Sequence, residues 1–259
     1  ARTALRSVPV TYATAWIYDG LLPKLQVQSD GEARMDTPGE MTPPGKPGLP
    51  PRWTSSAKTG VGTAGTAASR IWFTLSHGIL NEIYWPRVDA ACTRDFGFIV
   101  TGPDGYFAEE KRDCDHSIAM IEEGVPAFRI MNTARDGKWR IEKEILTDPK
   151  RETLLQRITF EALQGELADY RVFGLLSPHL INSGADNTAW VDDYKGMPML
   201  FATGAKAGAL ALACSVPLVS RSVGYVGTSD GWQQLHANGR LEEGYRMAEA
   251  GNVAMCAEI

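Results

Sequence analysis

Four acidic doublets, Glu109-Glu110, Glu122-Glu123, Asp192-Asp193 and Glu242-Glu243, supply the residue type that sugar hydrolysis needs. That reaction sets a general acid opposite a base or nucleophile at a fixed separation. Sequence neighbours carry no such separation, and doublets of this kind sit on solvated strand ends and turns, so none is assigned a catalytic role. Ser76-His77-Gly78 offers a nucleophile beside a base. Adjacent residues of a strand point to opposite faces and no G-x-S-x-G elbow occurs, which argues against a hydrolase triad. Cys114-Asp115-His116 places three metal-ligand types in a row, without the spacing that lets ligands converge on one ion. Neither a metal site nor a cofactor is expected. Gly60-Val-Gly62-Thr-Ala-Gly65 fits G-x-G-x-x-G. It follows a Pro-rich stretch and precedes a strand, whereas a nucleotide fingerprint follows a strand and opens a helix, so it reads as a flexible or tightly turning loop.

The aromatic residues are the better binding candidates. Trp72, Phe73, Tyr84, Trp85, Trp190 and Trp232 are of the type that stacks on sugar faces. Most read as core. Tyr84-Trp85-Pro86-Arg87 stands out, because two aromatics before a proline fall at a strand end, exposed to whatever docks there.

The elements that must position these residues are strands. Asp104-Gly105 separates Phe96–Thr101 from Tyr106–Glu110, and Asp136-Gly137 separates Ala127–Asn132 from Lys138–Thr147. Asp-Gly is the dipeptide whose positive φ values match the twist of a tight hairpin. Lys195-Gly196 marks a third hairpin. Trp139, Ile141, Lys143 and Ile145 share one parity while Arg140, Glu142 and Glu144 share the other, the period of a half-buried strand. Further strands are expected over Thr153–Phe160, Tyr170–Leu176, Thr188–Tyr194, Met197–Thr203 and Ala209–Cys214. The rhythm, roughly a dozen strands about ten residues apart, is that of an all-β sandwich or barrel. Arg240–Ala250 is helical on propensity, with Gly244 and the β surroundings against it.

The chain has 259 residues, 44% of them hydrophobic and 22% charged, which bounds it to an ordinary globular composition. Its 26 Lys and Arg against 31 Asp and Glu give a net charge of −5 with no basic tract, which argues against nucleic acid as a partner. No stretch approaches the roughly 20 apolar residues of a membrane helix, so no membrane partner is expected. Residues 1–22 make a poor signal peptide, and the bacterial cytoplasm is favoured over export. Cys92, Cys114, Cys214 and Cys256 lack paired spacing and are expected as free thiols.

Pro51-Arg-Trp-Thr-Ser-Ser-Ala-Lys-Thr-Gly-Val-Gly-Thr63 and Leu75-Ser-His-Gly-Ile-Leu-Asn-Glu-Ile-Tyr-Trp-Pro-Arg87 resemble the N-terminal domain of bacterial glucoamylases and glucodextranases of glycoside hydrolase family 15. The likeness continues in family order through Thr93-Arg94-Asp95, Glu109–His116, Arg135-Asp-Gly137, Ile141–Glu144, Leu146–Pro149, Pro178-His-Leu180, Gly184–Trp190 and Ser229-Asp-Gly-Trp232. The resemblance implies a large antiparallel β supersandwich similar to the galactose mutarotase-like fold. In the family that domain precedes an (α/α)6 barrel, whose two glutamates hydrolyse terminal α-glucosidic bonds with inversion and release β-glucose. Nothing in this chain resembles the barrel, so no catalytic residue is carried over.

The resulting organisation is an unmatched extension over 1–40, an irregular Pro/Gly-rich lead-in over 41–69 and the supersandwich over 70–259. Met41 fits a natural start, and the stop inside an apolar run at Ile259 suggests a sandwich cut short. The expected function is the non-catalytic N-terminal domain of a glucoamylase- or glucodextranase-type hydrolase, supporting the catalytic barrel as its partner. A stand-alone α-glucan-binding module is the alternative. Tyr84, Trp85 and Arg87, with Trp190 next, are the candidates for an interface or sugar-facing surface.

Overall fold

The computed structural model describes residues 11–17, 42–206 and 208–259. In chain order its first strands are β1 (Thr11–Ile17), β2 (Gly60–Thr63), β3 (Trp72–Ser76), β4 (Ile79–Tyr84), β5 (Thr93–Thr101) and β6 (Phe107–Glu109). A single helical turn, α1 (Glu110–Asp113), leads into β7 (Cys114–Met120), β8 (Phe128–Ala134), β9 (Trp139–Thr147), β10 (Thr153–Ala162) and β11 (Arg171–Pro178). There follow β12 (Asn187–Tyr194), β13 (Met197–Gly204), β14 (Ala209–Cys214) and β15 (Ser220–Tyr225), helix α2 (Gly231–Asn238), and β16 (Met247–Gly251) and β17 (Val253–Glu258). The strands form two antiparallel sheets. The first runs β16-β12-β13-β14-β1-β10-β9-β8-β7, and the second β15-β17-β11-β5-β4-β3-β2, with β6 also on β5. This is the expected all-β antiparallel supersandwich.

The turn chemistry sets the hairpins. Asp104 and Gly105 sit at φ 56° and 73°, and Lys195 and Gly196 at 53° and 77°, so each pair takes the left-handed conformation a tight β-turn demands. Val100 then pairs with Ala108, and Tyr194 with Met197. The His77-Gly78 turn between β3 and β4 is of the same kind, at φ 51° and 71°. His77 therefore lies in a turn, which corrects the expectation that Ser76 and His77 diverge along a strand. Ser76 Oγ is 3.0 Å from His77 Nδ1, but that hydroxyl is buried and donates to Asn81 Oδ1. No nucleophile is free there. Gly62 of the glycine-rich run lies in β2 and passes so close to the Phe73 ring that a side chain would overlap it.

The core follows the alternation. Trp139, Ile141, Lys143 and Ile145 are all fully buried. The other face of β9 meets water and carries charge pairs such as Glu144 with Arg129 at 2.6 Å and Arg157 at 3.2 Å. Lys143 is the exception among apolar neighbours. Its Nζ donates to Glu110 Oε2 and to the Gly78 carbonyl, each at 2.8 Å. Glu110, also fully buried, accepts in addition from the Phe98 backbone N–H at 2.9 Å and from Asn132 Nδ2 at 2.6 Å. Burial lowers the lysine's pKa, and the carboxylate beside it pulls it back up.

One expected element moves, and two stretches carry structure the residues did not announce. Within the extension, Thr11–Ile17 is a strand, paired antiparallel with β10 on one side and β14 on the other. The stretch from residue 42 to 51 is docked on the domain: Leu49 N bonds Val226 O, Asn252 N bonds Pro47 O, and Ser229 Oγ bonds Pro44 O. The helix near the end is α2. It is capped by Asp230, whose carboxylate accepts from Gln233 N, and it ends at Gly239 with φ 69°. Residues 240–246, by contrast, hold no helix.

Removing one member of a buried ion pair strands the other's charge. Lys143→Ala is expected to cost about 3–5 kcal/mol of unfolding free energy in urea denaturation. The double variant Glu110→Gln with Lys143→Met should cost less than the sum of its single changes, and strict additivity would show that the two are not coupled.

Candidate functional site

Of the sequence candidates, Tyr84 is half-buried at the end of β4, where it pairs with Trp72 and bridges to Ala91. Trp85 corrects the expectation of an exposed docking residue, since it is only 3% exposed and belongs to the main core. The chain folds back there through Trp85 N to Ala90 O at 3.0 Å, and Cys92 Sγ donates to the Trp85 carbonyl. The Arg70 guanidinium lies 5.2 Å from its ring. Arg87 is exposed and pairs with Asp89 at 2.6 Å, a surface pair that holds little energy. Trp190 sits elsewhere, on β12 of the other sheet, stacked on Phe201 at 5.3 Å and packed with Met199, Ala211 and Ala213. The four residues do not form one site.

What the fold does gather is an open cleft of about 260 Å³ between the start of β5, the β6–α1 corner and the start of α2. Arg94, Asp95, Glu109, Lys111, Arg112 and Trp232 line it. Asp95 accepts from Lys111 Nζ and from Asn81 Nδ2, each at 3.0 Å, and Lys111 also reaches Thr54 Oγ1 at 3.2 Å. Glu109 accepts from Trp232 Nε1 at 3.1 Å and pairs with Arg112 at 3.4 Å. His236 stacks on the Trp232 ring at 4.8 Å with planes 8° apart. Opposite charges are thus matched within the cleft, around a partly buried Trp and flexible cations. Such a surface suits another folded surface, where Trp and Arg are over-represented among energetic anchors. Asp95, Glu109 and Trp232 fall in segments that carried the resemblance, yet nothing in one sequence showed that they meet.

Of the doublet residues, Glu109 lines the cleft. Glu110 is sealed in the core on Lys143, and Glu109 holds Trp232. Asp193 pairs with Arg221 at 3.0 Å and Glu242 with Arg240 at 2.6 Å. Among the described residues no group of three or more His, Cys, Asp or Glu converges to hold a metal. All four cysteines are free and buried, and burial pushes the Cys92 thiol up to about 11.

Beside the cleft, His179 is 1% exposed, with Trp53 edge-on at 4.9 Å. Burial, followed by the Arg94 charge, lowers its pKa from 6.5 to about 4, against the opposing pull of Asp95 and Asn252.

Fold and surface together define a large antiparallel supersandwich domain with a charge-matched outer cleft. The family model for domain N of glucodextranase matches residues 43–259, and the chain belongs to that family. A glucoamylase of Clostridium sp. (strain G0005) is 33% identical over 213 residues, which cover 82% of this chain and 30% of the relative. The crystal structure of a bacterial glucoamylase complexed with acarbose matches with a TM-score of 0.82 at 32% identity, over 85% of this chain and 32% of that one. The chain thus corresponds to the N-terminal domain of glucoamylases and spans about a third of the length of these relatives.

Two measurements follow. Trp85→Ala should destabilise the chain by about 3–5 kcal/mol, as a large core truncation does, whereas Arg87→Ala should stay within about 0.5 kcal/mol. For His179, the unfolded imidazole titrates near 6.5 and the folded one near 4. Between those values the unfolded state binds more protons, so the stability is complete above pH 6.5 and falls as pH drops toward 4, by on the order of 3 kcal/mol. In urea titrations, His179→Gln should flatten the wild-type loss between pH 7 and 5, and a variant with the wild-type slope would refute the assignment.

Proposed function

We propose that this domain is the non-catalytic sandwich of a glucoamylase- or glucodextranase-type glycoside hydrolase. In this reading the whole protein hydrolyses terminal α-glucosidic bonds with inversion, through an (α/α)6 barrel. The sandwich supports that barrel through the cleft of Arg94, Asp95, Lys111 and Trp232, with Tyr84 and Arg87 at a neighbouring edge. The carrying observation is the extent of the family match, 43–259, which takes in both sheets apart from β1. The acidic side chains add to it, since those of the doublets that lie near the cleft are bonded to other groups of the domain. The domain's contribution is therefore apolar area, orientation and charge complementarity rather than proton transfer.

A second reading, an α-glucan-binding module, draws on Trp53 and Trp72, which are 48% and 38% exposed. Exposed indole faces stack on sugar rings.

The chain alone is expected to release no glucose from maltooligosaccharides. Mixed with the separately produced catalytic portion of the Clostridium glucoamylase, it should form a complex by calorimetry. Arg94→Glu with Lys111→Glu should weaken that complex at least tenfold. Glucose release by the chain alone would refute the first reading. Absence of a complex, combined with a saturable tryptophan fluorescence change on adding maltooligosaccharide, would favour the second.

A further inference from the structure

The first sheet contains a discontinuity in origin. Eight of its strands lie within residues 43–259, the span of the family match, and only β1 lies outside it. Yet β1 is not at an edge. It stands between β10 and β14, in register with β10 from Thr11↔Ile158 to Trp16↔Thr153 and with β14 from Ala13↔Cys214 to Ile17↔Leu210. Without it the sheet would part into β16-β12-β13-β14 and β10-β9-β8-β7. The facing edges would stand about 9.5 Å apart, two strand spacings, which is the width of one inserted strand.

The walls of this gap are core. Leu154, Gln156 and Ile158 of β10 and Leu210, Leu212 and Cys214 of β14 are all buried. Inward backbone N–H and C=O groups on such edges have no water to replace a missing ladder. Gln156 adds a second mark, being fully buried with neither side-chain oxygen nor nitrogen hydrogen-bonded. Four residues of β1 stand in register with both walls: Ala13 opposite Gln156 and Cys214, Thr14 opposite Leu155 and Ala213, Ala15 opposite Leu154 and Leu212, and Trp16 opposite Thr153 and Ala211. Of these, the two that stand opposite the buried Leu154, Gln156, Leu212 and Cys214 are alanines, which suits a strand recognised mainly through its backbone, the mode by which an extended peptide completes a sheet.

We infer that the space between β10 and β14 is a strand-acceptor slot, an interaction surface that takes one extended segment antiparallel to both walls, and that Thr11–Ile17 is its occupant in this chain. The occupant joins two half-sheets that the family-matched residues leave separate, so residues 1–40 include a functional clip for the sandwich.

The full chain tests this in two ways. Antiparallel partners lie within the Cα separation a disulfide accepts, so Ala13→Cys, oxidised in the folded protein, should link to Cys214 as mapped by peptide mass spectrometry. Thr14→Cys, one residue out of that register, should not link to Cys214. Independently, Ala13→Pro with Ala15→Pro removes two backbone donors from β1. Amide exchange should then rise at least tenfold in both β10 and β14 while β5 and β11 keep their protection. Where the proline variant does not fold, the linkage in the cysteine variant decides. Absence of the 13–214 link in folded protein, or unchanged exchange in β10 and β14 of a folded proline variant, overturns the inference.

Discussion

A carboxylate and an ammonium without access to water hold this sandwich in register. Glu110 and Lys143 are both fully buried, and neither charge is tolerable there without the other and further hydrogen bonds. Lys143 comes from the first sheet, and the Phe98 N–H on the same carboxylate comes from the second. That N–H falls where β5 changes neighbour, between its pairing with β4 at Phe96 and with β6 from Ile99 onward. Glu110 supplies the acceptor that the ladder lacks at the change. Sliding β9 by one residue would send Lys143 to the solvent face and strand Glu110, so the pair fixes register on both sides of the core. Gly78 belongs to the same network. Its carbonyl accepts from Lys143 and Asn132, and a side chain at its α-carbon would collide with Asn132.

The outer layers depend on that frame. The second sheet's far face would expose Ile99, Phe173 and Cys256, and α2 covers them with Leu235 and Trp232. The segment ahead of β2 straps the chain entering α2 to the β16–β17 turn through Val226, Ser229 and Asn252. Both devices set Trp232 against Glu109, which directly precedes Glu110. The surface cleft and the buried pair thus share one corner of backbone, and the surface inherits its rigidity from the core.

Much of the fold was legible because hairpins and half-buried strands are local facts. Asp-Gly and Lys-Gly turns constrain two residues, and β9 displays its alternation within nine. The same alternation put Lys143 on the buried face, although its partner 33 positions earlier was unreadable. Helix α2 carries local signals, Asp230 at its start and Gly239 at its end, but an interior of Gly, Gln and Asn with little apolar stripe masks them. For Trp85 the local signal is ambiguous. A proline after an aromatic marks a bend, but whether the ring turns out or in depends on Arg70 and on the chain returning past it at 90–92. Strand β1 carried no pattern that set it apart from the sequence around it.

By itself the amino-acid sequence determined the all-β class, the Asp-Gly and Lys-Gly turns and membership of a family carried by motifs spread from residue 51 to 232. These rest on backbone preferences and on residue order, which are properties of the chain. Only the tertiary structure decided which charges are buried, that Trp85 is core while Trp232 borders a cleft, and that Thr11–Ile17 lies between β10 and β14. Those outcomes depend on which distant segments exclude water together, and burial sets the cost of a charge or an unpaired amide only once those segments meet.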